Sequence, residues 1–162
     1  MIVYHGSNVI VDKPLLIPQN RALDFGSGFY TTENKTQAIT FANKVFRRRK
    51  DGERVVSVYE FDEITAFFTC SLLRFDSADE AWLDFVSANR NRTYHGDLFE
   101  LIYGPVANDD IFLTFQLYAG GNLSKQETIE RLKIKKLYNQ LVLRSERALS
   151  YLKYIGVLDE KE

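Results

Sequence analysis

The chain of 162 residues has a single cysteine, Cys70, and only three prolines. One cysteine cannot form an internal disulfide or a cysteine-based zinc site, and no other metal-ligand spacing is present. No apolar run approaches the roughly 20 residues that a membrane-spanning helix needs. Serine- and glycine-rich linkers are also lacking. We therefore predict one domain over residues 1–162 that uses neither a metal nor a membrane.

Charge of one sign is lacking as well, because 21 basic and 22 acidic residues give a formal net charge of -1. A protein without a global positive field is not drawn onto nucleic acid or anionic lipid. One basic cluster, RRRK at residues 47–50, is typical of the C-terminal end of a helix. The composition therefore favours a protein over nucleic acid as the macromolecular target.

The first residues, MIVYHGSNVIVDKP, lack a basic segment followed by a long apolar run. They do not resemble a cleavable signal peptide. The low cysteine content agrees with a reducing compartment. We expect a cytoplasmic protein, although an effector exported without a cleavable signal would have the same features.

Apolar periodicity predicts a mixture of helices and strands. Strands are predicted over residues 1–5, 28–31, 55–61, 98–103 and 141–143. Helices are predicted to begin at Asn34, Ser77, Asp109 or Asp110, Ser124, and Ser145 or Glu146. The last helix is expected to carry Ala148, Leu149, Leu152 and Ile155. Because the elements alternate without a regular βαβ rhythm, the sequence favours an α+β fold.

The first motif that suggests a binding site is Tyr4-His5-Gly6-Ser7, at the end of the first predicted strand. Glycine lets a ligand approach the backbone closely, and we expect it to end the strand. His5 and Ser7 flank it with side chains that can form hydrogen bonds. A histidine with a purely structural role is the alternative.

The second motif is the segment DFGSGFYTT at residues 24–32. A Gly-x-Gly step alone is weak evidence for a phosphate loop, and the full phosphate-binding patterns are absent. On a strand, Phe29 and Tyr30 point to opposite faces, so one can enter the core while the other lines a cleft. A turn with two core aromatic residues is the alternative.

The third motif is the polar pair Asn139-Gln140, which leads into the apolar run Leu141-Val142-Leu143. Taken alone, this pattern is typical of a turn followed by an edge strand. Its position after the other two motifs gives it further meaning, since the three together follow a known order.

In that order the motifs resemble the ADP-ribosyltransferase superfamily, in its poly(ADP-ribose) polymerase-like (diphtheria-toxin-like) branch. That branch has His-Gly-Ser/Thr on its first strand, Gly-x-Gly-[Ile/Phe]-Tyr before a helix, and a later strand that opens with Glu. The chain also resembles a small bacterial family of unknown function, DUF3990, through YGPVAND at residues 103–109. The resemblance implies an α+β fold in which two small split β-sheets, flanked by helices, form an NAD cleft.

The resemblance also implies a role for each motif residue. His5 would bond the adenosine ribose, the Gly6 backbone would hold the nicotinamide amide, and Ser7 would contact the nicotinamide ribose or amide. Tyr30 would stack on the nicotinamide ring, since an aromatic face suits a cationic ring. Arg21, just before the second motif, would meet the pyrophosphate. The predicted catalytic residues are His5, Tyr30 and Gln140, and the predicted NAD-binding residues are His5, Gly6, Ser7, Arg21, Gly28 and Tyr30.

Gln140 departs from the branch, which usually has Glu at this position. Glutamine can accept the ribose hydrogen bond, but it carries no charge and cannot act as a base. A well-placed carboxylate is a large electrostatic contribution to the stability of a transition state. Asp109 or Asp110 is a candidate to replace it, and the alternative is that these two residues cap the following helix.

The sequence therefore predicts an NAD-dependent mono-ADP-ribosyltransferase, a glycosyltransferase that moves ADP-ribose from NAD to a macromolecular target. NAD is the substrate, and no metal is expected. Because of Gln140, NAD hydrolysis and NAD or ADP-ribose binding without catalysis stay open. An interaction domain is a further alternative, and the family resemblance suggests a bacterial toxin paired with an antitoxin protein.

Overall fold

The computed structural model describes residues 1–18, 21–106, 109–133 and 137–159, without the side chains of residues 109–112. Over these residues, six helices and seven strands form an α+β fold. The strands are β1 (Ile2–Ser7), β2 (Phe29–Thr32), β3 (Val55–Phe61), β4 (Leu72–Arg74), β5 (Leu101–Pro105), β6 (Asn139–Leu143) and β7 (Leu152–Val157). The helices are α1 (Lys35–Arg49), α2 (Glu63–Thr69), α3 (Glu80–Arg90), α4 (Asp109–Ala119), α5 (Lys125–Lys133) and α6 (Glu146–Leu149). Among the described helices, none has the length and apolar character to cross a membrane.

The described strands form a single mixed sheet in the order β4-β5-β6-β2-β1-β3-β7. The structure therefore differs from the two small sheets that the resemblance implied, because β1 pairs with both β2 and β3. With β3 it pairs along its whole length, but with β2 it pairs only at Tyr4 and Thr32. The next facing positions, His5 with Thr31 and Gly6 with Tyr30, form no further pair between β1 and β2. We call this stretch, in which β1 and β2 face each other without further pairing, the β1–β2 gap.

Apolar side chains cover both faces of the sheet. One face packs against α2 and α6, and its cluster includes Val3, Phe29 and Leu141. Their neighbours along the same strands point the other way, as strand alternation requires. On that second face, Tyr4 packs with α1, and Val142 packs in a cluster with α3. The predicted opposite orientation of Phe29 and Tyr30 is confirmed, because the two rings join clusters on different faces.

Helix α1 begins where the sequence predicts. The side chain of Asn34 caps the helix by accepting a 2.8 Å hydrogen bond from the backbone N–H three residues on. The helix packs very closely on β1, because a Cβ atom at Gly6 would lie 2.2 Å from the carbonyl oxygen of Ala38. Lys50, in the left-handed conformation with φ 55°, caps the C-terminal end. The basic cluster occupies the last turn, where it was expected.

Several predicted segment ends are wrong, including those of the strand predicted over 98–103, which spans Leu101–Pro105. The first strand does not stop before Gly6, since Gly6 and Ser7 both pair with β3. The last helix ends at Leu149, and the residues expected to continue it form β7 instead. Half-buried and exposed positions alternate along β7, and its backbone pairs with β3. Pairing with β3 therefore outweighs the helical spacing of the apolar residues in this segment.

The remaining differences concern short or weakly marked elements. The sequence pattern does not predict α2 or β4. The N-cap of α3 is Asp79, whose carboxylate accepts from the backbone N–H of Trp82, and not the predicted Ser77. At α5 the predicted capping box is confirmed, since Ser124 and Glu127 each accept a hydrogen bond from the other's backbone N–H.

Candidate functional site

His5 lies on β1 beside the β1–β2 gap. Its Nδ1 atom is 2.7 Å from the carbonyl oxygen of Tyr30, so Nδ1 carries a proton and donates it. The imidazole stacks on Phe29, with the ring centroids 4.3 Å apart. Burial lowers the pKa of His5, the carbonyl of Tyr30 raises it, and the charge of Arg49 lowers it. The net lowering favours a neutral ring, which leaves Nε2 as a hydrogen-bond acceptor.

The motif glycines have packing roles that the sequence does not show. Gly6 allows the close approach of α1 described above. At Gly28, a Cβ atom would lie 2.6 Å from the side chain of Val142 on β6. Ser7, at the end of β1, is buried. The absence of a side chain at both glycines is therefore explained by the fold itself, and their predicted contacts with NAD remain a prediction.

The side chain of Tyr30 hydrogen-bonds to the backbone of its own loop, the second motif. Its hydroxyl donates to the carbonyl oxygen of Gly26 at 2.6 Å and accepts from the backbone N–H of Phe25 at 3.0 Å. Gly26 has a φ of 76°, a conformation that favours glycine. Burial raises the pKa of Tyr30, so its hydroxyl stays protonated. Because the hydroxyl is already bonded, the part of Tyr30 that remains for a ligand is the ring.

Two arginines hold this loop from distant parts of the chain. Arg90 forms an ion pair with Asp24 at 2.6 Å, and Asp24 is 8% exposed. Arg144 donates from Nε to the carbonyl oxygen of Ser27 at 2.8 Å. These partners are 66 and 117 residues apart in sequence. Sequence patterns therefore do not indicate them, although they fix the loop that carries Tyr30.

Gln140 lies near the centre of the sheet. It is in register with Thr32 on β2 and with Gly104 on β5. The residue is only 6% exposed, yet among the described residues its Nε2 atom has no hydrogen-bond partner. An unsatisfied buried polar group costs about 1–3 kcal/mol. This amide is therefore the strongest candidate for a contact with a ligand.

A carboxylate that the sequence analysis does not single out follows β2 directly. Glu33 is exposed, and it accepts a 2.6 Å hydrogen bond from the hydroxyl of Tyr103. Asn139 donates to the same hydroxyl at 3.2 Å. Burial, and then Glu33, raise the pKa of Tyr103. The backbones of Asp109 and Asp110 begin α4, but the side chains that would replace a catalytic carboxylate lie outside the described residues.

The strands that carry His5, Tyr30 and Gln140 are neighbours in the sheet. Because adjacent strands lie about 4.8 Å apart, the three backbone positions fall within roughly 10 Å of one another. Their side chains do not share one face. Tyr30 and Gln140 point to the face covered by α1 and α3, while His5 stacks on Phe29 at the opposite face. The structure therefore brings the three backbone positions together but does not place the three side chains in one cleft.

Positive charge lies near the C-terminal end of β1. Arg49 donates from a terminal guanidinium nitrogen to the Asn8 side chain at 3.0 Å, just beyond β1. Arg21, the predicted pyrophosphate contact, is exposed. Partial burial, and then the charges of Arg21 and Arg49, lower the pKa of Arg48. Arg21 thus belongs to one electropositive region with the arginines at the end of α1, a grouping that the sequence does not indicate.

Comparison with known proteins identifies the family. A family model described as a protein of unknown function (DUF3990) matches residues 1–154. No curated protein and no solved structure matches the chain. The chain therefore belongs to the DUF3990 family.

Proposed function

We propose that this protein is an NAD-dependent mono-ADP-ribosyltransferase of the ADP-ribosyltransferase superfamily, with NAD bound in the β1–β2 gap. The observation that carries the proposal is the buried Nε2 atom of Gln140, which has no hydrogen-bond partner among the described residues. It lies on the strand where the resemblance expects the catalytic side chain. A ribose hydroxyl of NAD can accept from Nε2 and so remove the cost of the unsatisfied amide.

The separation of β1 from β2 supports a site for the nicotinamide amide. Past the pair of Tyr4 and Thr32, the two strands no longer pair with each other. A carboxamide presents both a donor and an acceptor, which match the N–H and C=O groups of an unpaired backbone edge. His5 is held beside this edge by Tyr30, and its Nε2 atom can accept from a ribose hydroxyl.

The remaining parts of NAD also have suitable partners. The fixed ring of Tyr30 offers an aromatic face to the cationic nicotinamide. Arg21 and Arg49 bring guanidinium groups near the C-terminal end of β1, where they can hold a pyrophosphate. Each group matches one chemical part of NAD: ring, ribose or phosphate.

In the proposed transfer, the bond between ribose C1′ and the nicotinamide nitrogen breaks, and its electron pair leaves with nicotinamide. The nucleophile of the acceptor forms the new bond to C1′ and loses its proton to solvent. Positive charge develops on the ribose, and a neutral Gln140 can orient the sugar but cannot neutralise that charge. Glu33, or the Asp109 or Asp110 proposed from the sequence, is a candidate for the carboxylate that does.

The neutral Gln140 also favours a second candidate function. A site that binds NAD and lacks a catalytic carboxylate is suited to NAD or ADP-ribose binding without chemistry. A site that stabilises the ribose cation but holds no acceptor would hydrolyse NAD, with water as the nucleophile. These alternatives differ in products and can be separated directly.

One experiment separates the three functions. The protein is incubated with adenylate-labelled NAD and cell lysate, and both nicotinamide release and label on macromolecules are measured. Transfer predicts labelled macromolecules for the wild type and none for Tyr30→Ala. Nicotinamide release without label indicates hydrolysis, and calorimetric NAD binding with neither product indicates a binding module. A protein that does not bind NAD contradicts all three.

A transferase of this kind also fits a cytoplasmic bacterial toxin held inactive by an antitoxin protein. Expression in a bacterial host is then expected to stop growth for the wild type but not for Tyr30→Ala. Co-expression of the neighbouring gene's product is expected to restore growth. Normal growth with an active wild-type enzyme contradicts the toxin role alone.

A further inference from the structure

Helix α1 carries an exposed surface of aromatic and basic side chains. We call this the α1 basic surface, and its members are Phe41, Lys44, Arg47, Arg48 and Lys50, all of them exposed. From residue 44 to residue 54 the chain has six basic residues and two acidic ones. The near-zero net charge of the whole chain therefore conceals a locally strong positive field.

The spacing of these residues places an aromatic ring beside positively charged side chains. Phe41, Lys44 and Arg48 are three and four residues apart, so they form one stripe along the helix. Phe41 is 44% exposed. Arg47 lies in the last turn, and Lys50 follows as the C-cap. Aromatic rings that stack on bases, combined with cations that contact phosphates, are typical of surfaces that bind single-stranded nucleic acid.

Part of this charge has no carboxylate partner in the part of the chain that the structure describes. Among the described residues, Arg47 and Arg48 have no ion-pair partner. The carboxylate of Asp51 instead accepts from the next backbone N–H inside its own turn. Partial burial and the like charges of Arg21 and Arg49 lower the pKa of Arg48. A bound polyanion would reduce this repulsion.

We propose that the α1 basic surface binds single-stranded nucleic acid, with phosphates on its basic side chains and a base on Phe41. The surface continues to the β1–β2 gap through Arg49, which contacts Asn8. A single strand can reach the gap without the unstacking that a base in a duplex requires. If the proposed function holds, this strand is the acceptor of ADP-ribose. The fold thus favours nucleic acid where the composition favoured a protein.

Fluorescence anisotropy with labelled single-stranded RNA and DNA oligonucleotides of mixed sequence tests the binding. About four phosphate contacts predict roughly 50-fold weaker binding when salt rises from about 50 to about 200 mM. Arg47→Glu with Arg48→Glu is expected to weaken binding at least about tenfold and to reduce the salt dependence. Arg131→Glu with Lys133→Glu makes the same charge change on exposed positions of α5, and its binding is expected to stay near wild type. Phe41→Ala is expected to weaken binding without changing the salt dependence.

Three outcomes would overturn the proposal. The first is that the wild type shows no binding at low salt, and the second is that both double variants lose the same affinity. The third is that polyglutamate binds the α1 basic surface as tightly as the oligonucleotides do. The last would indicate an acidic protein partner. Calorimetry with NAD distinguishes this proposal from the function on which the acceptor role rests. NAD binding without nucleic-acid binding contradicts the surface proposal alone. Nucleic-acid binding without NAD binding supports the α1 basic surface as a binding site and contradicts the role of the strand as acceptor of ADP-ribose.

Discussion

The Nδ1 atom of His5 lies 2.7 Å from the carbonyl oxygen of Tyr30, across the gap where β1 and β2 no longer pair. This hydrogen bond joins two motifs that are 25 residues apart in sequence. Burial lowers the pKa of His5 and so favours the neutral ring. The burial of His5 therefore couples the stability of this region to pH.

We expect the wild type to lose stability as the pH falls from about 7.5 to about 5.5. The folded pKa of His5 lies below its ordinary value of 6.5, so in this range the unfolded chain binds a proton that the folded chain does not. The contribution is present above the ordinary pKa and is lost as the pH falls. Urea unfolding at several pH values measures it. His5→Asn should lose less stability than wild type over this range, and a pH dependence equal to that of the wild type would contradict the assignment.

Tyr30→Phe separates the ring of Tyr30 from its hydroxyl. The variant loses the hydrogen bonds with Gly26 and Phe25, which we expect to lower the free energy of unfolding by about 1–2 kcal/mol. The ring remains, so calorimetry should give an NAD affinity within a few-fold of wild type. Tyr30→Ala should lose both stability and NAD binding. If Tyr30→Phe binds NAD as poorly as Tyr30→Ala, the stacking role is wrong.

The ion pair of Asp24 and Arg90 is expected to stabilise the loop before Tyr30. Arg90→Ala leaves the mostly buried Asp24 carboxylate without its guanidinium partner, and we expect a loss of about 1–3 kcal/mol in the free energy of unfolding. Arg74→Ala is the matched control, because its pair with Asp76 is exposed and should be worth less than about 1 kcal/mol. Urea unfolding compares the two, and equal losses would show that the buried pair has no special role.

Elements with local signals could be predicted from the sequence. The caps at Asn34 and Ser124 are set by side chains within three residues of the helix start, and β3 has the bounds that its apolar pattern predicts. Strand β7 could not be predicted in this way. Its residues also fit a helical spacing, and pairing with β3, far away in sequence, determines their structure.

The candidate site could likewise be predicted from the sequence only in part. The three motifs supplied His5, Tyr30 and Gln140, and the sheet places them on neighbouring strands. The sequence could not show that the Nε2 atom of Gln140 is buried with no partner in the described part of the chain, because burial depends on the elements packed around it. It also could not show that Arg21 and Arg48 form one charged region, since their proximity depends on the tertiary fold.

Gln140→Met provides the central test, because methionine resembles glutamine in length and lacks the amide. Removing an unsatisfied buried group should leave the free energy of unfolding unchanged or raise it by about 1 kcal/mol. Gln116→Met, at an exposed position of α4, controls for the general effect of the substitution. The deciding measurement is calorimetric titration of NAD into the folded Gln140→Met protein. We predict at least about tenfold weaker binding than wild type, a difference of about 1.4 kcal/mol; affinity equal to wild type would contradict the account.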